Sequence, residues 1–280
     1  MAGSKLKHLM LGVSAAAFVT MYSSAYAATT ISIGAAPSFA NTLNDVIGAF
    51  QNYYIVNGNL SYNVVVTIDT GANLESNVAN GGAAAPYDLL LSSDALAPLK
   101  LYTDYNSLVV GSPFPYAKDS LELYSASVDI SAGLPTSLNQ PFVLADPKAD
   151  VYGTSAAEVL LTTPGVVTAY KQGYIQTRPD IGTTFAAVDG GTYAYGFVAK
   201  SQICQYYGGS EQYIQGTYHH EYIYNNWAHP YVPIVLAGVK IARPRAADQE
   251  TELTNFVNFL TGVGSSDGTN VIKQYCFKTP

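Results

Sequence analysis

Four places in this sequence put small or hydroxyl residues where an apolar, β-rich run gives way to a helical pattern: Ala35 to Phe39, Thr70 to Leu74, Asp150 to Ser155 and Asp180 to Thr183. A helix start leaves backbone N–H groups without intrahelical partners and carries the positive end of the helix dipole. It can hold an anion with no basic side chain. In parallel α/β sheets, ligands lie beyond the carboxyl ends of the strands. Several such junctions converging on one point would form an oxyanion cage. Taken singly, each also reads as an ordinary helix N-cap.

Other residues could do other chemistry, and most have a plainer reading. Asp146 and Asp150 read as turn residues that bond their own backbone. A carboxylate facing an anion would repel it, so both are expected to point away from a cage. His219, His220, Glu221 and His229 invite a metal site. Adjacent histidines point to different sides of a strand or helix, however, and the spacing fits no strong zinc pattern, so no metal is expected. No Ser-His-Asp set, H-E-x-x-H, C-x-x-C or P-loop is visible, and nothing orders Cys204 with His219 or His220 as a nucleophile pair, so the chain does not read as an enzyme. Cys204 and Cys276 can pair in only one way, yet sequence leaves bridged and free forms both open. The aromatic tract from Tyr206 to Tyr231 reads as tyrosines covering a core with solvated hydroxyls, with a binding surface as the alternative.

The elements that must position these residues alternate. Strands are expected at 29–35, 62–69, 87–94, 106–112, 140–147, 193–201 and 231–241. Helices are expected at 38–54, 72–82, 153–163, 166–174, 182–191, 247–263 and 268–277. In the first helix Phe39, Leu43, Val46, Ile47 and Phe50 share a face, with Ser38 as its N-cap. The alternation predicts an α/β fold with largely parallel sheets. Residues 28–108 and 233–280 are expected to form one lobe and 109–232 a second, joined by two crossing strands.

Bulk properties narrow the classes. Only 12% of the 280 residues are charged, while there are 23 tyrosines, so polarity comes mainly from hydroxyls, amides and backbone. Lys5, Lys7 and His8, then an apolar run from Leu9 to Thr20, then Ala25-Tyr26-Ala27 read as an export signal cleaved after Ala27. Removing residues 1–27 takes away two lysines and no acids, so the net charge goes from −7 (13 minus 20) to −9 (11 minus 20). Such a chain is a poor partner for nucleic acid and gives an anion no long-range steering. A periplasmic or secreted location is expected, where a disulfide is permitted.

Five stretches, in order, carry a resemblance: "ISIGAAPSFANTL", "APYDLLLSSD", "LADPKADVYGTSAAEVL", "GGTYAYGFVAKSQI" and "IKQYCF". Together they resemble the periplasmic molybdate-binding proteins of ABC transporters, a type II solute-binding family. The resemblance implies two lobes closing on molybdate or tungstate, no cofactor, an inner-membrane permease as partner, and a monomer. It implies Ser38 as a hydroxyl and amide donor, and Tyr152, beside Gly153, and Ile181 as backbone donors. Ala199 stands at a position held by Tyr or Ala. The family's second loop carries a Ser where this chain has Gly71, with Thr70 or Asn73 as substitutes for the lost hydroxyl. Selectivity against phosphate would come from a lack of acceptors for its proton. The alternative is a diverged two-lobed protein that binds a larger organic or metal-complex ligand, or a protein partner, and no oxyanion.

Overall fold

The computed structural model describes residues 30–56, 63–225, 227–228 and 230–280. The expected export signal and His229 lie outside these residues. Two mixed sheets form, each with a parallel half and an antiparallel half. In the first, β1 (Thr30–Ala35), β2 (Asn63–Ile68) and β3 (Leu89–Ser92) run parallel. Two long strands complete it: β4 (Val109–Asp119) and the late β12 (Ile234–Ile241), with β12 antiparallel to both β3 and β4. The order is β2-β1-β3-β12-β4.

The second sheet repeats this plan. Strands β6 (Phe142–Ala145), β7 (Ile175–Arg178) and β8 (Gly196–Ala199) run parallel. Strands β5 (Leu121–Ser125) and β11 (Tyr218–Tyr222) add antiparallel edges, in the order β11-β5-β8-β6-β7. A separate hairpin joins β9 (Cys204–Tyr207) to β10 (Ser210–Tyr213). The sheets are thus more mixed than expected. All of β4, whose residues were expected in the second lobe, pairs within the first sheet.

Helix α1 (Ala40–Val56) buries Leu43, Val46 and Phe50 completely. Phe50 meets Phe256 and Phe259 edge-on, from α8 (Ala247–Thr261). Burying each such side chain contributes about 1.5–3 kcal/mol. Helix α9 (Asp267–Gln274) packs on both α1 and α8. The other helices are α2 (Gly71–Gly81), α3 (Leu96–Asp104), α4 (Val151–Leu161), α5 (Val166–Lys171), α6 (Ile181–Asp189) and the single turn α7 (Lys200–Ile203). Helices α2, α4 and α6 each start just past the carboxyl end of β2, β6 or β7, where a ligand of an α/β sheet is held. Among the described residues no helix is long and apolar enough to cross a membrane.

Candidate functional site

The first junction follows β1. Pro37–Phe39 form a 3-10 turn, whose N-cap is Ala36 rather than Ser38. Ser38 therefore does not cap a helix as its type and position suggested. Its hydroxyl is buried and makes no hydrogen bond among the described residues. The turn is held by Phe39, whose ring lies 4.8 Å from Tyr116 and 5.7 Å from Phe277.

At the second junction Thr70 is the cap of α2, its Oγ1 accepting from the Asn73 amide at 3.3 Å. The Asn73 side chain is tied back to Asp69 at 2.7 Å. Both expected substitutes for a lost hydroxyl thus serve the helix start itself. Gly71 has a packing reason: a Cβ there would run into Ser92 Oγ and come within 3.1 Å of Asp94 Oδ2. A serine at this position would have to displace the Ser92 hydroxyl at the end of β3.

The third and fourth junctions are joined by one side chain. Asp150 caps α4 through Oδ1, which accepts from the Tyr152 amide at 2.9 Å. Its Oδ2 accepts from the Ile181 amide, also at 2.9 Å, at the start of α6. The Asp150 carboxylate therefore lies against the starts of both helices, contrary to the expectation that it would turn away. Asp146 does behave as a turn residue, accepting from the Lys148 amide at 2.9 Å. Asp180 closes a capping box with Thr183. Gly182 sits against Pro37, so α6 begins beside the Ser38 turn. Gly153 lets α4 press onto β6: a Cβ would lie 2.7 Å from the Ala145 carbonyl carbon and 2.8 Å from that of Asp146. Gly153→Ala is expected to cost about 2 kcal/mol by overpacking, read as a lower denaturation midpoint.

A second carboxylate, Asp119, was not legible as a site residue. It ends β4 and accepts from the Tyr152 and Ser201 hydroxyls, both at 2.6 Å, and from the Ser120 amide at 2.8 Å. Ser201 reaches on to the Ser38 carbonyl at 3.4 Å, so this bridge touches both sheets. Ala199 is fully buried, its amide donating to the Gln202 side chain at 3.0 Å. Burial pushes the Asp119 carboxyl up to about 6 against its hydroxyl donors. Burial likewise pushes Asp150 up to about 6 against its two amides, and nearby Asp180 and Asp94 raise it further. The Tyr152 hydroxyl stands well above its ordinary value, through burial and then through Asp119.

Beside these groups lies a cavity of about 590 Å³, lined among others by Asp94, Leu96, Leu99, Asp150, Ser155 and Val232. The Ser155 hydroxyl is buried without a hydrogen bond among the described residues. Three of the metal candidates, His219, His220 and Glu221, have other partners. His219 stacks on Tyr213 at 3.5 Å, and His220 Nδ1 lies 2.9 Å from the Ser131 carbonyl. Glu221 pairs with the buried Lys200 at 2.8 Å. In the aromatic tract Tyr206 and Tyr207 are exposed, while Tyr222 and Tyr231 are buried with bonded hydroxyls. Cys204 and Cys276 form a disulfide.

The family model described as bacterial extracellular solute-binding protein matches residues 31–278. The structure is similar to the periplasmic molybdate-binding protein of Azotobacter vinelandii, with a TM-score of 0.70 and 23% identity over 89% of this chain and 99% of that one. It is also similar to a sulfate-binding protein of Mycobacterium tuberculosis (TM-score 0.64, 13% identity, 90% and 87% coverage). A periplasmic thiamin-binding protein gives a TM-score of 0.61 at 14% identity, with 90% and 83% coverage. No curated protein sequence matches. At these identities the solved structures speak for the two-lobed type II fold.

Proposed function

We propose that this chain, which belongs to the bacterial extracellular solute-binding protein family, is the exported binding component of an ABC importer and captures a tetrahedral oxyanion, molybdate or tungstate. The ligand would sit between a lobe built on the first sheet and a lobe built on the second. Ser38 would give its hydroxyl and amide, and Gly71, Tyr152 and Ile181 their amides, with Thr70, Gly153 and Ala199 shaping the surround. Closure would exclude water, strengthen each donor bond, and present a closed monomer to an inner-membrane permease. Neither cofactor nor nucleic acid has a part in this reading.

One observation carries it. Without a basic side chain at the junction, the Tyr152 and Ile181 amides already hold an anionic group, the Asp150 carboxylate. Two helix starts thus direct their amides at one anionic group, the arrangement an external oxyanion would also use. The same observation removes the expected basis for rejecting phosphate, because Asp119 and Asp150 are acceptors for its proton. Phosphate therefore belongs in the test.

The cavity of about 590 Å³ favours a second reading, a larger organic ligand against Leu96, Leu99 and Val232. A thermal-shift and calorimetric titration of the exported protein with molybdate, tungstate, sulfate and phosphate separates the two. A ligand at 100 times its Kd adds about 2.7 kcal/mol of stability. A response to molybdate and tungstate, weakened at least tenfold by Ser38→Ala, is the expected result. Silence with all four ions overturns the oxyanion reading and favours the larger ligand.

A further inference from the structure

We infer that the Asp150 carboxylate is a resident occupant of the anion site: it takes the Tyr152 and Ile181 amides as an external oxyanion would, and thereby sets the affinity and selectivity of that site. The inference rests on the oxyanion reading above. Capping α4 needs only one carboxylate oxygen on one first-turn amide. Asp150 uses both oxygens, at 2.9 Å each, on amides that begin two different helices and lie far apart in the chain. It is buried at 6% exposure, so solvent does not share the contact. Meanwhile the Ser38 hydroxyl, supplied from the other sheet, is buried with no hydrogen bond of ordinary geometry among the described residues, although it bears on the Tyr152 hydroxyl. The donors reached by Asp150 are filled, and a donor beyond its reach holds no carboxylate.

An incoming dianion therefore meets an occupied cage. It must displace a carboxylate held by two charge-assisted hydrogen bonds. The charged groups that bear on Asp150, Asp94 and Asp180, are of the same sign as the ligand, as is Asp119 on the far side of Tyr152. Only an anion that makes more contacts than the carboxylate does, including one to Ser38, can win the exchange. Asp150 is in this sense a selectivity filter: ions with few donors to gain are turned away.

The test combines calorimetry with amide hydrogen exchange on the exported chain, titrated with sodium molybdate. The variants are Asp150→Ala, Asp150→Asn and Asp94→Asn. Asp150→Ala is expected to bind molybdate at least tenfold more tightly than the natural protein. Its Tyr152 and Ile181 amides should exchange faster without ligand and slow again with molybdate. Asp150→Asn keeps an oxygen for Tyr152 but can turn an NH2 towards Ile181, so it should shift in the same direction if the alanine variant folds poorly. Asp94→Asn removes a nearby charge and frees neither amide, so its affinity should change less than threefold. Equal affinity in natural protein and Asp150→Ala, or an equal gain from Asp94→Asn, overturns the inference alone. Fast amides in Asp150→Ala that no molybdate, tungstate, sulfate or phosphate can protect overturn the oxyanion reading itself.

Discussion

Replacing both Cys204 and Cys276 by serine is expected to lower the unfolding free energy by about 2–4 kcal/mol. The disulfide spans a sequence separation of 72. Closing a loop of that size in the unfolded chain corresponds to about 4 kcal/mol in the chain-entropy account. One native feature subtracts from this. Cys276 sits at φ 61°, in the left-handed region, which costs a non-glycine residue about 1 kcal/mol. What the bond connects also matters. Cys204 opens β9, just after the second sheet's β8 and α7, whereas Cys276 follows α9 on the first sheet's helices. Two weaker ties flank it: the Tyr275 hydroxyl donates to Asp45 at 2.6 Å, and Lys278 exchanges backbone hydrogen bonds with Lys118 on β4. These ties should keep the fold formed without the bridge, at a lower midpoint. Denaturant titration of the natural protein with and without reductant, beside the double serine variant, measures the effect. Midpoints that coincide in all three would show that the C-terminal segment is held without the bridge.

The parts of the molecule legible in the sequence are those set by local patterns. The helix starts at Thr70, Asp150 and Asp180 are written in cap residues that do cap in the structure. The buried face of α1 follows from its 3.6-residue spacing. What escaped is tertiary. Strand β4 contains Pro113 and Pro115, which argue against a strand. It tolerates them because it lies at the edge of its sheet and carries bulges against β12. Helix α3 hides behind Pro98, which falls in its first turn where no N–H is needed; Asp94 caps Leu96 and Ala97 at 2.7 and 2.8 Å. Strands β9, β10 and β11 are rich in Tyr, Gln, His and Glu rather than aliphatics, so they lack the apolar alternation that marks a half-buried strand. At the site, the family pattern pointed to Ser38, Tyr152 and Ile181. It could not reveal Asp119, which is fixed by hydroxyls from Tyr152 and Ser201. Nor could it give the direction of Asp150, since the amide that draws it inward belongs to a helix that starts much later in the chain.

Stability is expected to rise as pH is lowered from 7.5 towards 5, the reverse of what an acidic protein with paired carboxylates usually gives. The sign follows from the two buried acids. Asp119 and Asp150 have native values pushed from 3.8 to about 6, so between those values the native state binds protons that the unfolded state does not. Stability then falls as pH rises through about 6 and recovers as it is lowered again. A shift of that size corresponds to about 3 kcal/mol for each group, and to about 6 kcal/mol for the pair when both ionise. Glu122, also raised by burial, acts in the same direction. Opposing them are Glu221, paired with Lys200, and Glu250, paired with Lys240 and Arg245, whose lowered values make their contribution vanish once they protonate. Because those two begin from an ordinary value of 4.5, the turnover should come only below about pH 4.5. Urea denaturation across pH 4–8 reads the profile directly. In Asp119→Asn/Asp150→Asn the rise between pH 7.5 and 5 should largely disappear, since the groups that take up protons are gone. A natural protein whose stability is flat or falls over that interval would mean that the two carboxylates ionise in the native state as freely as in water. They would then reach solvent, and the junction would be open rather than closed around Asp150.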